Sequence, residues 1–193
     1  MNKKIGFLTS SRADFGIQTP LIEQMSKDDR YEITIIVFGT HLELAFGNTI
    51  DEILIFKDIQ ISKIKYMPTN DDPYSISLGF GVVIKKFALF WSQSTFDLVF
   101  AIGDRYEMCA ALQASIPFGI KAAHIHGGET SMGAIDNIYR DQLTRMAHIH
   151  LVSCKSHASR VKNISDNDKY IFNVGALSLY GLKNLKLPVW GTV

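Results

Sequence analysis

The sequence has few cysteines and almost no net charge, and both shortages limit what the protein can be. Its 193 residues include two cysteines, Cys109 and Cys154, too few for a disulfide scaffold, so we expect free thiols in a reducing compartment. Twenty Lys and Arg residues nearly balance nineteen Asp and Glu residues, for a net charge of +1. With no long basic run either, the composition argues against a nucleic-acid partner.

Long hydrophobic runs are also missing. The longest apolar stretch, 78–91, is too short to span a bilayer and is interrupted by Lys85 and Lys86. Strand-like sequence starts at Ile5, without the charged and then apolar leader of a signal peptide. We therefore expect a soluble, cytoplasmic protein with no membrane partner.

The first turn after a predicted strand, residues 9–16, lacks the glycine fingerprint of dinucleotide-binding proteins and the P-loop of nucleoside triphosphatases. It gives no support for NAD or ATP, and we expect no cofactor. The turn does place Arg12 and several hydroxyl groups at the start of a helix, where backbone N–H groups and the helix dipole favour an anion. A plain capping box with a solvent-exposed Arg12 fits the same residues equally well.

Strand and helix patterns alternate along almost the whole chain, which predicts an α/β fold: a Rossmann-like parallel sheet with helices on both faces. We expect one domain over 1–176. The predicted strands cover 4–8, 32–38, 61–66, 97–102, 120–125, 149–153 and 170–174. The predicted helices cover 11–27, about 48–56, a long segment around 76–90, 105–115, 137–147 and 157–163.

Polar residues follow two successive predicted strands at their ends. Asp104 comes just after strand 97–102, and the segment 124–129 ends strand 120–125. Parallel α/β sheets bind ligands at the carboxyl ends of their strands, so this edge is the predicted active site. Asp104 fits two roles equally: a helix N-cap paired with Glu107, or a carboxylate that acts as a general base or steers a hydroxyl.

The histidines near this edge raise the question of a metal. His124 and His126 are two residues apart at a strand end, which predicts both on one face, and His148 and His150 repeat the spacing. Because no Cys or carboxylate completes a recognised zinc spacing, the sequence favours imidazoles bonded to the backbone over a metal site. We expect His126 to be the most open of them to the site, because two glycines follow it.

Two more carboxylates complete the predicted site. Glu129 lies in a loop, where a charged residue is commonly just solvated, and Asp136 could equally cap the helix that carries Arg140. Together with Asp104 and His126, these residues converge on neighbouring loops at one edge of the sheet. Such a group would push its members' pKa values apart and suits acid–base chemistry on a neutral or phosphorylated sugar.

Six ordered motifs give the chain a resemblance to a known family. They are SSRADFG (10–16), GTHL (39–42), GDRYE (103–107), HIHGGE (124–129), GAID (133–136) and GAL (175–177). In this order they resemble the hydrolysing UDP-N-acetylglucosamine 2-epimerases, and among these the branch that feeds sialic acid and related nonulosonic acid synthesis. The match runs from residue 3 to about residue 187.

The resemblance implies both a fold and a reaction. The fold is glycosyltransferase-B-like, with two Rossmann-type domains and the substrate between them, and full-length members are expected to be homodimers. The reaction is an anti elimination of UDP across C1–C2 of the sugar, which gives a 2-acetamidoglucal. Water then adds to yield N-acetylmannosamine.

The resemblance also implies roles for individual residues. Family carboxylates match Asp104 and Asp136, which makes these two the acid/base candidates. Some relatives carry a Glu at the position of His126, so it stays open whether His126, Glu129 or both take the third catalytic role. The residues expected to bind substrate are Arg12, His41, Arg105 and Arg140.

Length is where the chain departs from the family, whose members are nearly twice as long. Their second domain supplies most of the uridine and diphosphate contacts and a further catalytic histidine. We therefore expect 177–193 to begin an interdomain connector without the second domain. We also expect this chain alone to bind UDP-sugar weakly and to turn it over poorly or not at all. Two alternatives stay open: a UDP-2,4-diacetamido-2,4,6-trideoxyglucose 2-epimerase of the legionaminic acid route, and a non-catalytic sugar-nucleotide-binding or docking domain.

Overall fold

The computed structural model describes residues 2–66, 70–165 and 169–182. All seven predicted strands are confirmed, with bounds that differ by at most two residues: β1 (Lys3–Thr9), β2 (Tyr31–Phe38), β3 (Gln60–Ile64), β4 (Leu98–Ile102), β5 (Ala122–Ile125), β6 (Ile149–Val152) and β7 (Ile171–Asn173). The helices are α1 (Arg12–Met25), α2 (Ile50–Ile53), α3 (Pro73–Gln93), α4 (Tyr106–Gln113), α5 (Asp136–Met146) and α6 (Lys155–Ser165).

The strands form one parallel sheet in the order β3-β2-β1-β4-β5-β6-β7. The chain runs outward through β2 and β3, and then crosses back so that β4 pairs with the other side of β1. Loops that follow β1 and β4 therefore lead away from each other, which leaves a crevice at the carboxyl edge of the sheet. This order confirms the Rossmann-like prediction and places the ends of β1, β4, β5 and β6 along one edge.

The central strands are apolar because helices cover both faces of the sheet. Phe7 of β1 and Phe100 of β4 stack with ring centroids 4.7 Å apart. Helix α3 packs onto this core through Val83, Phe87 and Trp91, which recur every four residues along its buried face. The indole Nε1 of Trp91 donates a hydrogen bond to the backbone carbonyl of Ala111 on α4, so its one polar atom is satisfied inside the core.

Helix α3 is longer than its apolar stretch suggested. Asp72 caps its N-terminus by accepting a hydrogen bond from the Ser75 N–H, so the helix starts before residue 78 and reaches 21 residues. By length and composition alone it could cross a membrane, contrary to the expectation for 78–91. A core helix of a soluble protein passes the same test, and the expected absence of a membrane partner stays a prediction.

The segment that follows β7 packs against the domain. Residues Leu177–Leu179 form a short 3-10 turn that contacts α1, and the Leu177 side chain lies against the hydrophobic core. The sequence pattern suggested no element for this segment to contact, because nothing local shows that α1 is near. Most of the predicted connector, 183–193, lies outside the described residues, and the domain boundary at 176 stays a prediction.

Candidate active site

Asp104 and Arg140 form an ion pair that joins two loops at the predicted edge. After β4, Gly103 adopts a left-handed conformation with φ at +75°, which turns the chain away from the sheet. The Asp104 carboxylate then accepts a hydrogen bond from Nη2 of Arg140 on α5. Arg105, and not Asp104, is the N-cap residue of α4. Of the two roles considered for Asp104, capping is therefore wrong.

The loop after β5 depends on two consecutive glycines. A Cβ atom at Gly127 would lie 2.9 Å from Nδ1 of His124, and one at Gly128 would lie 2.5 Å from the carbonyl oxygen of His157 on α6. Gly128 also has φ at +79°, and His126 itself has φ at +63°. Only glycines allow the loop to lie this close to the sheet and to α6, and this close approach fixes where Glu129 emerges.

Glu129 is the centre of the polar cluster. It accepts a hydrogen bond from Ser153 Oγ at 2.8 Å. Its carboxylate also lies 3.3 Å from Nδ1 of His126 and 3.5 Å from Nη1 of Arg140. Arg140 thus connects Glu129 with Asp104, and three of the four predicted catalytic residues lie together at the ends of β4 and β5.

The surroundings of His126 favour the neutral form of its imidazole. Burial lowers its pKa, with Glu129 acting in the opposite direction and Arg140 adding to the decrease. Its Nε2 atom is buried and has no hydrogen-bond partner among the described residues. A neutral ring with one uncommitted nitrogen can donate or accept a proton from a substrate group.

His124 differs from His126 because it is wholly internal. Its Nε2 lies 2.9 Å from the Gly103 carbonyl, and its Nδ1 lies 3.1 Å from Oγ1 of Thr144. Burial lowers its pKa to about 3, so the ring is neutral and links the end of β4 to α5. Of these two rings His126 is the more open, since its side chain is 12% exposed and His124 is fully buried. His148 is exposed as well, but it precedes β6 and lies at the opposite edge of the sheet.

The crevice between β1 and β4 holds an arginine between two buried carboxylates. Arg105 pairs with Glu107, and it also interacts electrostatically with Asp14 on α1. Burial raises the pKa of both Glu107 and Asp14, while the Arg105 charge opposes that rise. Sequence reasoning considered Glu107 only as a capping partner, because nothing local shows that it is buried beside Arg105.

The loop after β1 contains both features considered for it. Ser11 caps α1 by accepting a hydrogen bond from the Asp14 N–H, which confirms the N-cap half of the predicted capping box. The Asp14 carboxylate accepts from the N–H and hydroxyl of Ser10, one residue before the position that the box requires. Arg12 is largely exposed and pairs with Glu52, with Nε 2.9 Å from the carboxylate. The N-terminus of α1 thus follows the end of β1 at the crevice, and the Arg12 side chain extends toward α2.

His41 is placed beneath the crevice. Its ring nitrogens lie 2.9 Å from Oγ1 of Thr9 and 2.8 Å from Oγ1 of Thr49, and burial lowers its pKa to about 4. Its expected contact with substrate stays a prediction. In this structure it links the ends of β1 and β2 to the start of α2.

Asp136 is half-buried and begins α5, one turn before Arg140. The N-cap residue is Ile135, so the suggested N-cap position for Asp136 is off by one residue. Residues four apart lie on the same face of a helix, which points Asp136 along the side of α5 that carries Arg140. Its catalytic role stays a prediction.

The structure adds two residues that sequence reasoning did not select, Ser153 and His157. Ser153 follows β6 at the same edge, and its position after a strand was the available signal. No sequence signal pointed to His157, because its contact with Ser153 depends on how α6 packs. Within 2–66, 70–165 and 169–182, no group of three or more His, Cys, Asp or Glu side chains could hold a metal ion.

Comparison with known proteins agrees with this fold. The family model described as UDP-N-acetylglucosamine 2-epimerase matches residues 23–187. The chain is 32% identical over 187 residues to the polysialic acid biosynthesis protein P7 of Escherichia coli, covering 96% of this chain and 48% of that protein. It is also 32% identical to the hydrolysing UDP-N,N'-diacetylbacillosamine 2-epimerase of Legionella pneumophila, covering 93% and 47% of the two chains.

A solved structure supports the fold. The UDP-GlcNAc 2-epimerase of Neisseria meningitidis, crystallised with UDP-GlcNAc, superposes with a TM-score of 0.79 over 93% of this chain and 48% of that one, at 15% identity. The chain spans about half the length of the curated relatives that it matches. Since the family model covers most of the sequence, the chain belongs to the UDP-N-acetylglucosamine 2-epimerase family.

Proposed function

We propose that this chain supplies the N-terminal, Rossmann-like half of a hydrolysing UDP-N-acetylglucosamine 2-epimerase, which converts UDP-GlcNAc and water to N-acetylmannosamine and UDP. One observation carries the proposal: Arg140 draws Asp104 and Glu129 together beside His126 at the ends of two adjacent strands. Epimerisation at C2 by elimination and hydration needs groups that remove a proton, return one and assist an oxygen on departure and arrival.

The reaction balances as follows. A carboxylate takes the proton from C2, the C1–O bond breaks, and UDP leaves to give 2-acetamidoglucal. Water then adds its hydroxyl to C1 and a proton returns to C2 on the other face. UDP and N-acetylmannosamine are the products, and one water molecule is consumed.

The catalytic groups are assigned from their positions. Asp104 and Glu129 face each other across Arg140 and are the candidates for exchanging the C2 proton. Asp136 begins α5, one turn before Arg140, and is the candidate for the oxygen at C1. His126, a neutral imidazole with a free Nε2, is the candidate for assisting the carboxylate that it contacts.

The substrate-binding groups are assigned in the same way. Arg105 lies at the crevice between β1 and β4, and Arg12 stands beside the N-terminus of α1. A guanidinium and free backbone N–H groups suit the diphosphate of a UDP-sugar. Arg140 would orient the carboxylates, and His41 would support the crevice floor.

The test is a proton-NMR time course of the purified chain with UDP-GlcNAc in heavy water, at high protein concentration. We expect weak binding and slow formation of UDP and of N-acetylmannosamine that carries deuterium at C2. Asp104→Asn should stop product formation. Asp141→Asn is the matched control, because Asp141 forms a surface pair with Arg160 and should leave the rate unchanged.

Three results would contradict the proposal: product without deuterium at C2, turnover that survives Asp104→Asn, or no binding of UDP-GlcNAc at all. The last result, with UDP binding also absent, would favour the alternative of a non-catalytic docking domain.

A second substrate is favoured by one relative. The Legionella protein, at 32% identity, is named for UDP-N,N'-diacetylbacillosamine, the 2,4-diacetamido-2,4,6-trideoxy sugar. The same NMR time course with UDP-N,N'-diacetylbacillosamine decides between the two candidate substrates. Faster release of UDP from the diacetamido sugar than from UDP-GlcNAc would assign the chain to the legionaminic acid type of reaction.

Two further predictions concern the whole protein. The family resemblance favours a homodimer, which light scattering on the purified protein would test. The sialic acid route, in which N-acetylmannosamine is the precursor, favours a cytoplasmic location, which fractionation of the source cells would test.

A further inference from the structure

Two side chains from the β6–α6 region, Ser153 and His157, fix the position of the Glu129 carboxylate. Ser153, just after β6, donates its hydroxyl proton to Oε1 of Glu129 at 2.8 Å. The Oγ atom of Ser153 also lies 2.8 Å from Nδ1 of His157, in the first turn of α6. The three side chains form a continuous hydrogen-bonded chain that ends on the Glu129 carboxylate.

The direction of this chain follows from its chemistry. A serine hydroxyl has one proton, and an ionised carboxylate can only accept. Because Ser153 gives its proton to Glu129, Nδ1 of His157 must be the donor in the second bond. His157 is therefore fixed in the Nδ1–H form, which makes Ser153 Oγ a better donor to Glu129.

The backbone holds the same elements together. The close approach of Gly128 to the carbonyl oxygen of His157 seats the loop that carries Glu129 directly on the first turn of α6. Ser153 and His157 are thus part of the surface on which this loop rests. A shift of α6 would move the carboxylate.

The two oxygens of Glu129 have different surroundings. Oε1 receives the Ser153 proton and lies 3.3 Å from Nδ1 of His126. Oε2 has the longer contact, 3.5 Å to Nη1 of Arg140. Oε1 is therefore occupied by contacts within the protein, and Oε2 is the oxygen available to contact substrate.

We propose that Ser153 and His157 are positioning residues for Glu129: they fix its Oε1, so that its Oε2 points to the reacting sugar. This inference rests on the proposed function, in which Glu129 exchanges a proton with the substrate. A carboxylate displaced by about 1 Å loses on the order of 100-fold in rate, which makes its support part of the catalytic design.

The first test reads the hydrogen-bonded chain without any turnover. Long-range proton–nitrogen NMR of histidine labelled with 15N reports which ring nitrogen carries the proton. It is run at about pH 8.5, well above the ordinary histidine pKa. We expect the Nδ1–H form for His157 in the unmodified chain, with the signal assigned by its loss in His157→Gln.

Two variants test the direction of the hydrogen bonds from His157 through Ser153 to Glu129. In Ser153→Ala, the Nδ1–H group of His157 loses its hydrogen-bond acceptor. In Glu129→Ala, the Ser153 hydroxyl is free to donate to Nδ1 of His157 instead. Both should therefore return His157 to the Nε2–H form that free imidazole side chains prefer. Ser153→Thr retains the hydroxyl and should keep Nδ1–H, as should the control Ser159→Ala on the exposed side of α6. An Nε2–H ring in the unmodified chain, or no change in Glu129→Ala, overturns the inference.

The second test is turnover of UDP-sugar. Ser153→Ala should lower kcat by about 100-fold while KM changes less than about twofold, and Ser153→Thr should restore kcat. Full activity of Ser153→Ala overturns the positioning role. If the unmodified chain binds neither nucleotide sugar, the proposed function fails, and the histidine spectrum still decides whether the hydrogen bonds between His157, Ser153 and Glu129 exist.

Discussion

Replacing Arg140 by methionine removes the cation that lies between Asp104 and Glu129. The side chain of Arg140 is 8% exposed, and those of Asp104 and Glu129 are 24% and 27% exposed. Arg140→Met keeps much of the side chain's volume and apolar stem, so the loss of charge dominates the effect. The two carboxylates are left facing each other without their shared partner.

The magnitude follows from burial. Removing one partner of a fully buried ion pair costs about 3–5 kcal/mol, because the remaining charge is left without compensation. Here water reaches both carboxylates and offsets part of that cost. We therefore expect the free energy of unfolding to fall by about 2 kcal/mol.

The assay is urea unfolding followed by circular dichroism at neutral pH, with Arg160→Met as the matched control. Arg160 pairs with Asp141 on the surface, and both side chains are about a third exposed. The exposed pair should contribute less than about 1 kcal/mol. In high salt the deficit of Arg140→Met should shrink, because salt screens the remaining repulsion. An equal loss of stability in the two variants would refute the reasoning.

Three further predictions follow from the glycine loop, a buried histidine and the cysteines. Gly128→Ala places a Cβ against the backbone of α6 at a positive φ and should lower Tm by about 8 °C, whereas Gly133→Ala, also at positive φ but in open space, should lower it by about 3 °C. The pKa of His124 is lowered by burial to about 3, so between about pH 6.5 and that value the unfolded chain binds a proton that the folded chain does not. The unmodified chain should therefore lose up to about 1.4 kcal/mol per pH unit relative to His124→Gln as the pH falls through this range, measured by urea unfolding. Iodoacetamide should alkylate Cys154, whose pKa is lowered by its hydrogen bond with a neighbouring serine, and spare the buried Cys109, whose pKa burial raises to about 12, as mass spectrometry of the digested protein would report.

Each of these has a contradicting result. Equal melting temperatures for the two glycine variants would mean that α6 moves away freely. A stability difference between wild type and His124→Gln that is constant from neutral pH to pH about 4 would mean that the ring is protonated in the fold. Faster alkylation of Cys109 than of Cys154 would mean that α4 opens readily.

The sequence by itself determined the sheet and the edge where the site lies. Unbroken β-branched and apolar runs such as Ile33–Phe38 can only be buried between two helical layers, and their alternation with helix patterns requires a parallel sheet. Parallel strands place all their carboxyl ends on one edge. Polar residues directly after β4 and β5, among them Asp104 and His126, were therefore found without coordinates.

Only the tertiary structure decided how those residues are paired. Asp104 had equal local support as a cap and as a site residue. The structure makes Arg105 the cap and pairs Asp104 with Arg140, 36 positions away, while the catalytic role of Asp104 stays a prediction. The burial of Glu107 beside Arg105 likewise depends on the packing of α4 against α3, α5 and the sheet. Local sequence patterns predict helix caps and the type of each element, but they do not predict which loops lie close together.

The support of Glu129 shows the same division most clearly. The HGGE motif predicted a loop that lies close to another element, because its glycines allow a close approach. Nothing in the motif identifies that element as α6. Ser153 and His157 reach the carboxylate because β6 pairs with β5 in parallel and α6 folds back over the sheet. Hydrogen bonds between side chains distant in sequence depend on strand order and helix packing, and these are set by the whole core.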